Sequence, residues 1–222
     1  MYYFVKRLID IVVSLLVIIV FLPLLIPIFI ALKLTDEGEI FYGQERVGYK
    51  NKRFKIWKFA TMLKNSPNMG TGDITLRNDP RVTKVGKFLR ITKLNELPQV
   101  FNVLFGDMSL VGPRPLMPVS FEYYPKHVQE VVYNSIPGIT GIGSLVFRDE
   151  EKLVSEQKEM SHRDFYRERI YPYKGELEMW YQIHKSLLTD LIIIFLTAFS
   201  IISKQNKLVY HFFKDLPPYP FN

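Results

Sequence analysis

The stretch from Ile11 to Leu32 reads IVVSLLVIIVFLPLLIPIFIAL, and Ser14 is its only polar residue. A helix of about 20 apolar residues is roughly 30 Å long, which matches the thickness of the hydrocarbon core of a bilayer. A buried helix of a soluble domain is the alternative, but an uninterrupted apolar run of this length argues against it. The stretch therefore predicts a helix that enters a membrane.

Two prolines decide how this helix would sit in the membrane. Pro23 and Pro27 lie past its midpoint, and each removes a backbone donor and crowds the preceding turn, so we expect a bend. A straight span would hold Lys6 and Arg7 in the cytoplasm and place the chain after Lys33 outside. A helix that enters, bends and returns would keep both ends in the cytoplasm. The sequence alone leaves both topologies open.

The composition narrows the class of partner. The chain has 222 residues, which suffice for one substantial core, and a formal net charge of +7 at pH 7. A basic protein attracts nucleic acid, anionic headgroups or phosphorylated substrates, and a membrane helix favours the last two. The basic and aromatic run at 50–59 shows no recognition fold, so we predict no nucleic-acid partner. The chain has no cysteine, which excludes disulfides and thiolate metal sites.

Weaker patterns organise the rest of the chain. Residues 38–62 predict one or two short strands with a turn at Gly43, and residues 64–80 contain enough breakers to predict a loop that could contact substrate. The apolar stretch Leu187–Ile202 is shorter than a span and carries Asp190, which predicts an interfacial or core helix. The proline-rich end is expected to be extended and loosely held.

A second helix is predicted in the middle of the chain. Four apolar residues recur at helical spacing: Leu94, Leu97, Phe101 and Leu104. Asn95 is the expected N-cap, Pro98 is tolerated in a first turn, and Gly106 is suited to end the helix.

Two interpretations of this helix start remain open. Asn95 and Glu96 can serve as a cap and as a partner of the helix dipole. Alternatively, a helix start that carries Glu96 beside Arg90 and Lys93 can handle phosphate. Spacing alone does not separate the two.

A series of motifs then occurs in a recognisable order. They are Lys58-Phe59-Ala60-Thr61-Met62, Val85-Gly86-Lys87-Phe88-Leu89-Arg90, Leu94-Asn95-Glu96-Leu97-Pro98-Gln99, Asn102–Ser109, Val111-Gly112-Pro113-Arg114-Pro115 and Pro137-Gly138-Ile139-Thr140-Gly141. Together they resemble the bacterial sugar transferase family, the small monotopic polyprenyl-phosphate phosphoglycosyl transferases. The resemblance covers nearly the whole chain.

The resemblance implies an architecture. The expected fold is α+β and mainly helical, with an N-terminal re-entrant membrane helix, a small cytoplasmic catalytic domain and interfacial amphipathic helices. The predicted segments are a re-entrant helix at 1–36, a cytoplasmic sugar transferase domain at 37–205 and a C-terminal tail at 206–222. The expected location is the cytoplasmic face of the bacterial inner membrane.

The resemblance also implies an enzyme activity. Such proteins transfer a sugar-1-phosphate from a UDP-sugar to polyprenyl (undecaprenyl) phosphate and release UMP, which begins the synthesis of a surface polysaccharide or glycoconjugate. The expected cofactor is Mg²⁺, and the expected partners besides the two substrates are membrane lipids and downstream glycosyltransferases.

The site residues follow from the family motifs. In the family, the aspartate of an Asp-Glu pair attacks the sugar-bearing phosphate, and here the pair is Asn95 and Glu96, with Glu96 also the expected metal ligand. The residues expected to bind substrate phosphates are Lys58, Arg90, Arg114 and Arg148.

Several positions depart from the family pattern. A carboxamide at position 95 is a poor nucleophile, which raises the alternative of a catalytically silent relative that binds a UDP-sugar or a partner glycosyltransferase. Ala60 and Ile136 replace residues that are basic in the family, and Glu178 lies where the family often has aspartate. The segment Gly141–Ser144 also differs from the usual family sequence.

Overall fold

The computed structural model describes residues 1–35, 37–69, 79–202 and 208–221. It is mainly helical with two small sheets, which confirms the α+β prediction. The helices are α1 (Tyr2–Lys33), α2 (Lys84–Ile91), α3 (Gln99–Phe105), α4 (Pro118–Phe121), α5 (Lys126–Val131), α6 (Ile142–Val146), α7 (Glu150–Glu156), α8 (His162–Phe165), α9 (Tyr171–His184), α10 (Leu187–Ile202) and α11 (Leu208–Phe212). The strands are β1 (Phe41–Val47), β2 (Arg53–Phe59), β3 (Ser109–Val111) and β4 (Gly138–Thr140).

The apolar N-terminal stretch forms α1, which stays helical through Pro23 and Pro27. Its 32 residues correspond to about 48 Å of helix. Within the described ranges it is the one helix long and apolar enough to cross a membrane.

The first sheet pairs β1 with β2. The predicted turn at Gly43 is wrong, because β1 runs straight through that residue. The chain turns instead at Tyr49–Asn51, where Lys50 and Asn51 adopt left-handed backbone angles with φ of 53° and 57°. Glycine was therefore a misleading turn signal, since non-glycine residues make the reversal.

The second sheet pairs β3 with β4 in parallel, with Ser109 opposite Gly138 and Val111 opposite Thr140. Glycines let the main chains on either side of this pair approach closely. A Cβ atom on Gly138 would lie 2.1 Å from the amide nitrogen of Gly112, and one on Gly141 would lie 2.2 Å from its carbonyl oxygen. The two glycine-containing motifs are thus two strand ends packed backbone against backbone.

The helix predicted around Leu94 begins later than expected. A 3₁₀ turn covers Leu94–Glu96, and α3 starts at Gln99, directly after Pro98. The prediction that Asn95 is the N-cap is therefore wrong: Asn95 lies inside the turn, which follows Lys93 in a left-handed conformation with φ of 60°. Gly106, with φ of 95°, ends the helix as predicted.

The chain divides into two compact units. The first contains residues 1–8, 45–54 and 106–222, and the second contains residues 9–44 and 55–105. In the second unit, Leu25, Ile28 and Leu32 of α1 pack with Phe59 and Leu89. The first unit has a larger core in which α6, α9 and α10 meet through Ile142, Leu177 and Ile193, all fully buried.

Within the first unit, the start of α1 is tied to α10 through Asp190. Its carboxylate accepts from Lys6 Nζ at 2.6 Å, from the Tyr2 hydroxyl at 3.0 Å and from the Tyr181 hydroxyl at 2.8 Å. Lys6 Nζ also donates to the carbonyl oxygen of Val111 at 2.8 Å. The charge that interrupts the second apolar stretch is therefore buried and paired.

The C-terminal segment is better held than the sequence suggested. Phe213 and Leu216 are buried in the core of the first unit. The Tyr173 hydroxyl donates to the carbonyl oxygen of Pro217 at 2.7 Å. The expectation of a loosely held end is wrong for 208–221, because aromatic and aliphatic side chains anchor the extended backbone.

Candidate active site

The sequence-predicted site residues fall into two groups. Lys58, Arg90, Asn95 and Glu96 belong to the second unit, and Arg114 and Arg148 belong to the first. Each group has its own supporting contacts.

In the second unit, two of the motifs meet at Thr61. A Cβ atom on Gly86 would lie 2.1 Å from the Thr61 carbonyl oxygen, so only glycine lets α2 pack this closely on the end of β2. The Thr83 amide donates to that same oxygen at 3.0 Å. Arg90, one helical turn after Gly86, donates from Nε to the Thr61 hydroxyl at 2.9 Å. The contact fixes the guanidinium of Arg90 relative to the β2 motif.

The same unit brings a lysine and a carboxylate together. Lys58 Nζ lies 3.5 Å from Glu96 Oε1, and the two side chains are 18% and 29% exposed. The strand that carries Lys58 is held by Asn102, which accepts from the Trp57 amide at 3.0 Å and donates to the Lys55 carbonyl oxygen at 2.8 Å. Asn102 is fully buried and thus satisfies two main-chain groups of β2. The Lys58 ammonium group and the Glu96 carboxylate are therefore paired at a place that solvent can reach.

Asn95 lies beside Glu96 in sequence and is 9% exposed. Its side-chain oxygen Oδ1 is buried and accepts no hydrogen bond from any described residue. A buried acceptor without a partner costs about 1–3 kcal/mol. The site thus contains an amide oxygen that a donor group or a cation brought by a substrate would satisfy.

In the first unit, Arg114 follows β3, and Arg148 follows the helix α6 that comes after β4. Because β3 and β4 are parallel, their carboxyl ends lie at the same edge of the sheet, where α/β proteins commonly bind ligands. The Tyr133 hydroxyl donates to the Arg114 carbonyl oxygen at 2.8 Å and accepts from the Leu116 amide at 2.9 Å. The backbone of this loop is therefore braced, while the Arg114 side chain is exposed.

A buried acid lies directly behind this loop. Glu178 of α9 is 2% exposed, and the Arg114 amide donates to its Oε1 over 3.5 Å. Burial raises the pKa of Glu178 to about 8, although the Arg114 amide, Lys174 and the Arg114 charge oppose the shift. Its second oxygen, Oε2, has no hydrogen-bond partner among the residues that the structure describes.

Whether this site can hold Mg²⁺ depends on the oxygen ligands that its side chains offer. No group of three or more His, Cys, Asp or Glu side chains that could hold a metal occurs in the described part of the chain. Mg²⁺ bound with substrate phosphates needs only one or two protein oxygens and keeps several waters. The Glu96 carboxylate and the Asn95 amide oxygen are donors of that type.

The sequence did not predict the supporting contacts of three residues. Thr61 lies within a motif but gave no hint of its contact with Arg90. Asn102 could have been suspected, because it is a polar residue one turn after Gln99 on a helix that packs against a sheet. Glu178 carried a clearer signal, since it lies among the buried positions of α9 rather than on its exposed face.

Comparison with known proteins gives the family. The sequence model of the family described as bacterial sugar transferase matches residues 1–204. The chain belongs to the bacterial sugar transferase family, as its motifs predicted.

Individual relatives have names that describe sugar-phosphate transferases. A UDP-glucose:undecaprenyl-phosphate glucose-1-phosphate transferase from Klebsiella pneumoniae is 41% identical over 87% of this chain and 39% of the relative. An undecaprenyl-phosphate galactose phosphotransferase from Salmonella typhimurium is 37% identical over 88% of this chain and 40% of the relative. The chain thus spans about two fifths of the length of these relatives.

A relative of more similar length is the exopolysaccharide production protein ExoY from Sinorhizobium fredii. It is 32% identical over 86% of this chain and 83% of the relative.

Proposed function

We propose that this chain transfers a sugar-1-phosphate from a UDP-sugar to polyprenyl phosphate and releases UMP. This reaction would be the first committed step in building a surface polysaccharide or glycoconjugate. The observation that carries the proposal is the family match over residues 1–204, which includes every motif described above. Relatives that are 37–41% identical bear names that specify sugar-phosphate transfer to undecaprenyl phosphate.

The basic side chains are assigned to the phosphates. The Arg90 side chain is oriented by Thr61, and Arg114 projects its exposed guanidinium from a loop whose main chain is braced. Planar guanidinium groups form paired hydrogen bonds with phosphate oxygens. Lys58 in the second unit and Arg148 in the first are assigned as further cationic contacts to phosphate groups.

Glu96 is assigned the central chemical role. The carboxamide of Asn95 is neutral and cannot serve as a nucleophile in place of a carboxylate, so Glu96 is the carboxylate of this pair. In one route, a Glu96 oxygen attacks the sugar-bearing phosphorus and the bond from that phosphorus to UMP breaks. An oxygen of the lipid phosphate then attacks the same phosphorus and releases Glu96. In the other route, the lipid phosphate attacks directly and UMP leaves in a single step.

We assign Mg²⁺ to Glu96 and Asn95, together with the diphosphate of the donor. When bound, the ion would screen the diphosphate charge and stabilise the departing UMP. Lys58, which lies 3.5 Å from Glu96, would hold that carboxylate in place beside the phosphates.

We also propose that α1 is re-entrant and that both of its ends lie on the cytoplasmic side of the inner membrane. Residues 1–8 and 45–54 belong to the same compact unit, although α1 lies between them in sequence. Lys6 is paired there with Asp190, which follows α1 by more than 150 residues. A straight span would separate these segments by the bilayer, whereas a helix that returns would not. Membrane lipids and downstream glycosyltransferases are the partners expected on that face.

The direct test is UMP release by the purified protein in lipid nanodiscs. A panel of UDP-sugars is offered with and without undecaprenyl phosphate, and Glu96→Gln serves as the matched inactive control. Transfer predicts multiple-turnover UMP release that depends on both the lipid phosphate and one or a few of the sugars. Failure of every sugar to yield UMP above the Glu96→Gln background would contradict the proposal.

A silent binding relative is the second candidate, and Asn95 is the observation that favours it. Such a protein would be stabilised thermally by a UDP-sugar but would release no UMP from it. Measurement of the melting temperature with each UDP-sugar, alongside the release assay, therefore separates a binding protein from an enzyme.

A further inference from the structure

We propose that Glu178 is a positioning residue, which holds the main chain of the Arg114 loop from inside the protein so that the guanidinium faces the substrate phosphate. The inference rests on the proposed function and extends it to a residue that makes no contact with substrate.

The geometry places Glu178 between the Arg114 loop and the start of α6. Its Oε1 lies 3.5 Å from the Arg114 amide nitrogen on one side. On the other side, a Cβ atom on Gly143 would lie only 2.5 Å from the same oxygen, so the carboxyl group rests against the first turn of α6. The Arg114 loop follows β3, and α6 follows β4 and leads to Arg148. The Glu178 carboxyl group therefore contacts both of the segments that follow the parallel strands.

The surroundings favour a neutral carboxyl group at this position. Oε2 is buried without a partner among the described residues, and a full charge there would be costly. Burial raises the pKa to about 8 against the attraction of Arg114 and Lys174. Lys174 is itself bound to Glu150 at 2.7 Å. Tyr124 and Tyr133 interact electrostatically with Glu178. Burial raises the pKa of both tyrosines, so neither carries a charge near pH 8.

Ionisation would change what Arg114 does. Below a pH of about 8, the carboxyl group is protonated and accepts from the Arg114 amide while the guanidinium remains available. Above that pH, the buried negative charge attracts the same guanidinium and competes with the substrate phosphate for it. We therefore expect substrate affinity to fall as the pH rises through 8.

The test uses Glu178→Gln, which keeps the shape and the acceptor of the protonated acid but cannot ionise. The reference is Arg114→Ala, which identifies the substrate whose KM depends on Arg114. For that substrate, the wild-type KM should rise about tenfold between pH 7 and pH 9, because the pKa of about 8 lies midway. Glu178→Gln should match the wild type at pH 7 within about twofold and should lose the rise at pH 9.

Glu178→Ala and Glu176→Gln complete the design. Removal of the whole side chain should raise the same KM about tenfold or more at pH 7, with a smaller effect on kcat. Glu176 is exposed on the same helix, so Glu176→Gln should keep the wild-type pH profile. A Glu178→Gln enzyme with the wild-type pH profile, or one as impaired as Glu178→Ala at pH 7, would overturn the proposal.

A readout independent of turnover separates this inference from the proposed function. The infrared difference spectrum between wild type and Glu178→Gln should contain the carbonyl band of a protonated carboxylic acid at pH 6, and the band should disappear above pH 8. Its absence at pH 6 would overturn the inference even in a fully active enzyme. Its presence in a protein that releases no UMP would establish the protonated carboxyl group of Glu178 and would count against the proposed function.

Discussion

Asn95 stands at the position where the family resemblance implies an aspartate, and the structure shows its surroundings. The amide is buried, its oxygen has no hydrogen-bond partner in the part of the chain that the structure describes, and it lies next to a carboxylate that is paired with Lys58. Replacement by aspartate would put a second carboxyl group beside Glu96, where like charges repel unless a cation intervenes. The effect of Asn95→Asp on activity therefore shows what this position does.

If Glu96 carries the chemistry, Glu96→Gln should lower kcat by about a hundredfold or more, while Asn95→Asp should change it by less than about threefold. Steady-state UMP release at saturating substrate measures both. If instead Asn95→Asp raises activity strongly and allows a phosphosugar–enzyme adduct to be trapped, the wild type is an impaired form of the two-step enzyme.

Exchange of labelled UMP into the UDP-sugar, measured without lipid phosphate, distinguishes the two routes. Exchange requires an enzyme-bound phosphosugar, so it supports attack by Glu96. Its absence in an enzyme that transfers normally supports direct attack by the lipid phosphate.

Single substitutions also test the two arginines that are assigned to substrate phosphates. Arg90→Ala and Arg114→Ala should each remove most of the transfer activity, since a charge-assisted phosphate contact contributes about 1.5–3 kcal/mol. The melting temperature should change little for Arg114→Ala, because Tyr133 and the backbone brace that loop and the guanidinium is exposed. Near-normal turnover in either variant would remove that arginine from the phosphate site, and unfolding of Arg114→Ala would show that it braces the turn.

At the scale of elements, the parallel pair of strands depends on the absence of side chains. A Cβ atom at position 138 would meet the Gly112 amide at 2.1 Å, and main chain cannot move aside as a long side chain can. We expect Gly138→Ala to be destabilising by about 3 kcal/mol or more and to lower the melting temperature by several degrees.

Gly43→Ala is the matched control. A Cβ atom there would lie 3.4 Å from Cδ of Lys55, an ordinary contact with a flexible side chain, in the middle of a strand. Its melting temperature should stay close to that of the wild type. Equal stability of the two variants would mean that the strand ends can separate without harm.

The sequence predicted elements better than it predicted their ends. The long apolar helix, the helix at Leu187–Ile202 and the terminating role of Gly106 depend on local composition, and all were correct. The start of α3 was misplaced because Pro98 is compatible with a first turn and equally with the residue just before a helix. Periodicity does not distinguish the two.

The candidate site shows the same division. Motifs supplied Arg90, Glu96 and Arg114, because those residues occur in sequence patterns that resemble a family. They assigned no role to Thr61 or Glu178, because the contacts of these residues join positions 29 and 64 residues apart in the chain. Only the tertiary structure brings such residues together.

For the whole molecule, the central question is on which side of the membrane each end of α1 lies. The chain has no cysteine, so single cysteines at Tyr3 and Lys50 can serve as clean probes. Both positions are in the first unit and both are exposed. In intact cells, each should resist a membrane-impermeant thiol reagent and react with a permeant one. Labelling of either cysteine by the impermeant reagent would rule out the re-entrant topology.

The bond between Lys6 and Asp190 has a consequence for biogenesis. The two residues are 184 positions apart, so the lysine leaves the ribosome long before its partner exists. At about 5–20 residues per second, the growing chain waits roughly ten to forty seconds for that carboxylate. The re-entrant topology that we propose would keep the first residues of α1 on the ribosome's side of the membrane during this interval. A helix that crossed the membrane would separate Lys6 from Asp190 and leave a buried carboxylate without its cation.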